Sequence, residues 1–145
     1  MLTESTISGL RALIHLVGLA SAEPIPPKRI AEELGLSPTY LAKVTRQLVR
    51  ADVLRAFRGA KGGVKLSRAP EEITLLEIVE ACQGRILGDY CEETSRLRLT
   101  CAFHQAMAQV HLSLLQTLSR WTLAELAAKP CPSPSLAKLI TCRIG

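Results

Sequence analysis

Aromatic side chains are scarce: two Phe, two Tyr and one Trp make up 3% of 145 residues. Any core must therefore be aliphatic, and with 48% of residues hydrophobic Leu, Ile, Val and Ala can supply one. Long apolar runs are also missing. None approaches the roughly 18 residues that a membrane-spanning helix needs, so no membrane partner is expected. Nine glycines and eight prolines are too few for a collagen-like or low-complexity chain. The cysteines, Cys82, Cys91, Cys101, Cys131 and Cys142, are odd in number, which argues against a closed disulfide framework. They lack the Cys-x-x-Cys pairing of structural zinc sites, and thiols or metal ligands are the expectation. The length is that of about one domain.

What the chain does have is an uneven charge. The formal net charge is +5. Residues 1–70 hold 11 basic and 5 acidic side chains, whereas residues 71–145 hold 7 and 8. A basic first half joined to a near-neutral second half points to a polyanion-binding part carrying something else.

A mostly apolar run from Ala12 to Ala20 follows Arg11, and Ala20-Ser21-Ala22 imitates a signal cleavage site. Glu4 spoils the positive lead-in and His15 interrupts the run. Ile7, Leu10, Leu13 or Ile14, Val17 and Ala20 recur at helical spacing. The segment is expected to be a first helix, about Thr6 to Ala20, of a cytoplasmic protein. Pro24-Ile25-Pro26-Pro27 ends it. A short helix over Lys28–Leu34 stops at Gly35. Ser37 as N-cap and Pro38 at the first helical position start a third, running to about Ala51. Two short strands follow near Val53–Phe57 and Val64–Ser67, around a turn with three glycines. Thr74 with Glu77, and Thr122 with Glu125, are capping boxes for two later helices. Between them lie a loop over Arg85–Thr100 and a long helix from about Cys101 to Ser119. The tail from Pro130 reads as irregular.

The fold class is mainly α with a small β-hairpin wing: a winged helix-turn-helix domain plus a long dimerisation helix. The expected organisation is a DNA-binding domain over 1–70, a sensor loop and dimerisation helices over 71–127, and a tail over 128–145. Two short helices on a tight glycine turn form a helix-turn-helix. Ile30, Ala31, Leu34 and Leu36 are expected to pack on Leu41, Val44 and Leu48. The other face of the third helix carries Thr39, Lys43, Arg46 and Arg50 at spacings that share one stripe, beginning beside Tyr40. Such a stripe suits a recognition helix, with donors for phosphates and base edges. Arg55-Ala56-Phe57-Arg58-Gly59-Ala60-Lys61-Gly62-Gly63 reads as a wing, its Arg58 suited to a minor groove. The expected DNA-contacting set is Lys28, Ser37, Pro38, Thr39, Tyr40, Lys43, Arg46, Arg50, Arg58, Gly59, Lys61 and Gly62. On the long helix, Phe103, Met107, Val110, Leu114 and Leu118 form a seam for a partner helix.

Several of these stretches resemble the IscR/NsrR/CymR family of bacterial winged-helix regulators. They are Leu10-Arg11-Ala12-Leu13, the helix with Ile30-Ala31, Ser37-Pro38-Thr39-Tyr40-Leu41 and the glycine-rich turn from Arg58 to Gly63. Ile73-Thr74-Leu75-Leu76-Glu77-Ile78-Val79-Glu80-Ala81 and Thr122-Leu123-Ala124-Glu125-Leu126 extend the likeness over about residues 2–127. The resemblance implies a homodimer on a palindromic operator of double-stranded DNA, acting as a repressor. It also implies an iron–sulfur cluster sensing redox, iron or nitric oxide in the 91–104 region, with Cys91, Cys101 and His104 as cofactor and metal ligands. Ser95 stands where the middle cysteine of that pattern is expected. Three ligands fall short of the usual four, and a two-iron cluster tolerates that better than a four-iron one. The carboxylate that the partner's first helix supplies in the family aligns with Ile7. Glu4, Ser8, Cys82, Cys131 and Cys142 are the substitutes at hand. The alternative is a cluster-free thiol switch at Cys91 and Cys101, because a cysteine at a helix N-terminus has a lowered pKa. Small loop residues with no sensing role are the third possibility.

His15 and His111 lie inside helices and read as packed or surface residues, Cys82 as a small core residue, and Trp121 as an anchor after the long helix. Cys101 and His104 are one turn apart, but no third group or oxyanion site accompanies them, so no enzyme is expected.

Overall fold

The computed structural model describes residues 2–86 and 101–129. Over these, the order is α1 (Glu4–Leu19), α2 (Pro27–Leu34), α3 (Pro38–Arg50), β1 (Leu54–Phe57), β2 (Gly63–Leu66), α4 (Leu75–Gln83), α5 (Ala102–Arg120) and α6 (Leu123–Ala128). A 3-10 turn over Pro70–Glu72 leads into α4. Mainly α with a hairpin is therefore the observed class. α1 begins earlier than its apolar spacing predicts, because the Thr3 side chain accepts from the Thr6 N–H and caps the helix there.

α1 runs through the middle of the fold. Leu10, Ala12 and Leu13 are almost wholly buried. They share one cluster with Ile30 and Ala31 of α2, Leu41, Val44 and Leu48 of α3, and Val53, Leu54 and Val64 around the hairpin. Ile73, Ile78, Cys82 and Leu123 belong to the same cluster. The core thus continues past residue 70 into α4 and α6.

The hairpin is antiparallel, with Leu54 opposite Leu66 and Phe57 opposite Gly63. A third chain segment joins it. Ile25 and Val64 exchange both backbone hydrogen bonds at 2.9 Å, so the proline-rich link between α1 and α2 acts as a one-residue edge strand. That approach requires glycine next door, since a Cβ on Gly63 would lie 2.4 Å from the Ile25 carbonyl carbon.

Both capping boxes form, with Thr74 and Glu77 on α4 and Thr122 and Glu125 on α6. They lie side by side. The Leu75 N–H donates to the Trp121 carbonyl and the Leu123 N–H to the Ile73 carbonyl, each at 2.8 Å. Trp121 therefore anchors this corner through its backbone, while the residue itself is 45% exposed. α5 packs on α4 and buries just Ala108 and Leu118. No helix among the described residues is long and apolar enough to cross a membrane.

Candidate nucleic-acid interface

α2 and α3 meet through their apolar faces, as Ile30 and Ala31 on one and Leu41, Val44, Thr45 and Leu48 on the other are buried. Thr45 is tolerated inside because its hydroxyl donates to the Ala42 carbonyl (3.1 Å). Ser37 caps α3, accepting from the Tyr40 N–H (3.4 Å), and Pro38 occupies the first turn. Burial of one face leaves the other outward. Thr39, Lys43, Arg46 and Arg50 are all exposed, as are Lys28, Ser37 and Pro38.

Lys43, Arg46 and Arg50 form no ion pair with a described residue, so their charge faces solvent. Lys28 reaches Glu32 at 4.0 Å, but both side chains are well exposed, and such a pair is worth little. α2 is tied to α1 by polar contacts as well as by its core face. Glu33 accepts from Arg29 (2.8 Å) and meets His15 of α1 (2.5 Å). The bonds to Arg29 and then His15 hold its carboxyl below the usual range. Arg11 of α1 donates to the Leu34 carbonyl (3.1 Å) at the helix-turn-helix corner.

The wing projects beside α3 with Arg55, Arg58, Gly59 and Lys61 exposed. A groove of about 420 Å³ separates α3 from the wing, lined among others by Ala42, Arg46, Val49, Phe57 and Gly59. Three residues of the expected sets serve their own chain. Tyr40 is half-buried and packs on the core cluster. A Cβ on Gly62 would lie 2.5 Å from the Phe57 carbonyl oxygen, so this glycine serves closure of the turn. Leu118 is 6% exposed within the single chain, whereas Phe103 and Val110 of the same seam are 67% and 47% exposed. Met107 and Leu114 are half-buried.

Thr45 and Phe57 were absent from the expected site and join the groove lining here. Phe57 had a legible signal: an apolar residue flanked by Arg55 and Arg58 at a strand end. Lys65 sits over its ring at 5.6 Å.

The expected sensor residues fall unevenly. Cys91 and Ser95 lie outside the described residues, as do Cys131 and Cys142. Cys101 is the N-cap of α5 and exposed, with Sγ 3.0 Å from His104 Nδ1. The His104 ring first, and then first-turn backbone N–H groups, hold the Cys101 thiol below its ordinary value of 9.0. Cys82 is a core residue as expected, and burial pushes its thiol up to about 11. Glu4 is exposed at the start of α1 and Ser8 is buried within it. His15 and His111 are half-buried.

A family model described as an iron-dependent transcriptional regulator, Rrf2, matches residues 2–129. The chain belongs to the Rrf2 family. Solved structures agree with that placement. CymR, the global cysteine regulator of B. subtilis, is 26% identical with a TM-score of 0.66, covering 88% of this chain and 96% of its own. The oxidised form of Staphylococcus aureus CymR is 28% identical with a TM-score of 0.69, covering 91% and 99%. T. potens IscR is 26% identical with a TM-score of 0.69, covering 88% and 86%. This Rrf2 chain is a winged-helix transcriptional regulator and not an enzyme. Regulators of this family bind DNA and commonly form dimers.

Proposed function

We propose that the protein is a homodimeric repressor of palindromic operators, gripping double-stranded DNA with α3 and the wing and adjusting its affinity through Cys101. The observation that carries the DNA reading is the outward stripe of Thr39, Lys43, Arg46 and Arg50 beside a basic, glycine-turned wing. A two-fold axis through paired α5 helices presents the two α3 helices to one face of a duplex, about one helical turn apart. Phe103 and Val110, both exposed, are the seam residues that gain most from such a pairing.

Two sensing chemistries divide on donor count. A protein-bound iron–sulfur cluster takes about four ligands, thiolates above all. The described residues bring together two donors, Cys101 and His104, and hold no group of three His, Cys, Asp or Glu suited to a metal. Cys91, the other thiol expected in that region, lies outside the described residues, and no step is derived through a cluster. The contact between Cys101 and His104 favours the thiol switch. A thiolate there attacks a peroxide: an S–O bond forms, the O–O bond breaks, and hydroxide leaves. The sulfenic acid then condenses with a second thiol, Cys91 being the candidate, to give a disulfide and water. Among the similar structures, S. aureus CymR is known in an oxidised form.

The test is fluorescence anisotropy with operator duplex. Affinity should fall log-linearly with salt, and Lys43→Ala should weaken binding by about 1–3 kcal/mol as a base contact. Salt-independent binding, or an unchanged Lys43→Ala, overturns the interface. Iron and acid-labile sulfide are assayed in protein purified without oxygen. Little of either is expected, and matched stoichiometric amounts would replace the thiol switch with a cluster.

A further inference from the structure

Resting on the DNA-binding reading, we propose that the groove between α3 and the wing is a channel for one sugar–phosphate backbone, and that Arg46 clamps a phosphate there and does not read a base. Position is the first argument. Base edges are contacted by the N-terminal residues of a recognition helix, and Arg46 lies more than two turns into α3, which starts at Pro38. Lys43 is nearly one turn closer to that end.

Direction is the second argument. Ala42, Arg46 and Val49 line the groove from α3, facing Phe57 and Gly59 of the wing. Their spacing of four and three puts them on one stripe, rotated toward the wing relative to Lys43. The Arg46 Nε–H donates to the Ala42 carbonyl (3.3 Å). This bond folds the stem back along the helix to the level of Ala42 and leaves the two terminal nitrogens without a partner among the described residues. Charge is the third argument. The groove lining contains no Asp or Glu, and Arg58 and Lys61 stand exposed on the wing. A polyanion fits this chemistry. A duplex read by α3 in its major groove and by the wing in the next minor groove must pass its intervening backbone between the two.

The test compares wild type, Arg46→Ala, Arg46→Lys and Lys43→Ala on two probes across a salt series. One probe is a duplex enriched from a random pool by the wild-type protein. The other is a scrambled duplex of equal length and base composition. For Arg46→Ala the magnitude of the salt slope should drop by about one. Its affinity should fall by the same factor on both probes, about five- to tenfold. Arg46→Lys should recover most of the salt slope, equally on both probes, because it keeps the charge that neutralises a phosphate. Lys43→Ala should instead lower affinity for the enriched probe selectively. An Arg46→Ala loss confined to the enriched probe, an unchanged slope, or a Lys variant whose slope stays as low as that of the Ala variant overturns the proposal. A wild-type protein that binds neither probe overturns both the proposal and the interface on which it rests. Matching thermal melts of the variants exclude a folding defect.

Discussion

α1 and α5 are helices of similar length put to opposite use. α1 buries seven of its 16 residues, and α5 buries two of 19. Apolar content does not separate them, since α5 also carries Phe103, Met107, Val110, Leu112, Leu114, Leu115 and Leu118. Their neighbours do. α1 is enclosed by α2, α3, α4 and α6, while α5 leans chiefly on α4. A helix at the centre of a chain's own core is completed by that chain. A long helix at its margin, with Phe103 and Val110 exposed on one seam, is completed by a second copy under the proposed function. Truncating either helix should therefore fail in a different way.

The largest effect is expected in α1. Leu13 is fully buried, and Leu13→Ala should cost about 2–5 kcal/mol by lost transfer and cavity formation, read as a lower urea midpoint independent of protein concentration. The partner experiment is Phe103→Glu with Val110→Glu on α5. Buried at a dimer seam, these charges should cost about 2–4 kcal/mol of association, turning a dimer into a monomer in sedimentation while circular dichroism holds. A dimer that survives the double substitution sinks the seam. So does a wild-type protein that sediments as a monomer at micromolar concentration.

These two regions also differ in how far they were legible. The helix-turn-helix was readable almost residue by residue, because Ser37, Pro38, Leu41, Val44 and Leu48 carry local signals that agree with one another. Both capping boxes were readable for the same reason. What the sequence hid was long-range. Nothing local shows that Thr74 pairs with Thr122, or that Ile25 adds an edge to the hairpin, since both depend on backbone pairing between distant segments. The continuous core across residue 70 was hidden likewise, because a charge step marks a change of surface and not of interior. On α5, the seven-residue rhythm located an apolar face. It could not tell Leu118, buried by its own chain, from Val110, which is not.

The capping boxes allow a finer version of the comparison. Arg68 donates to Glu77 at 2.8 Å, joining the end of the wing to the start of α4, whereas among the described residues Glu125 on α6 hydrogen-bonds to Thr122 of its own box and feels the charge of Arg120 without a bond to it. Burial pushes Glu77 up, but the Thr74 N–H, Arg68 and the Thr74 hydroxyl outweigh it, leaving its carboxyl below 4.5. A carboxylate depressed by folding adds stability that is fully present above its unfolded value and lost as pH falls through the folded one. Thr74→Ala should cost about 1 kcal/mol near neutral pH, and Thr122→Ala no more than that. Glu77→Gln should flatten the loss of stability as pH falls below about 4.5, measured by thermal melts. An unaltered acid limb would remove Glu77 from the account.

The smallest effect in free energy separates the two described cysteines, one on α4 against α1 and one at the start of α5. Cys82 is packed against α1, with Gly9 so close that a Cβ there would lie 2.8 Å from the sulfur. Its thiol is raised to about 11 by burial, so at neutral pH it stays protonated and shielded. Cys101 is exposed and lowered from 9.0 chiefly by the His104 ring, so a larger share of it is thiolate at the same pH. Alkylation by iodoacetamide near pH 7 should therefore label Cys101 ahead of Cys82, with mass spectrometry locating the adduct. His104→Ala should slow labelling of Cys101 and move its pH midpoint upward, leaving Cys82 as it was. A rate at Cys101 indifferent to His104 would show that exposure alone governs its reactivity. The thiol switch would then lose the contact that distinguishes Cys101 from an ordinary surface cysteine.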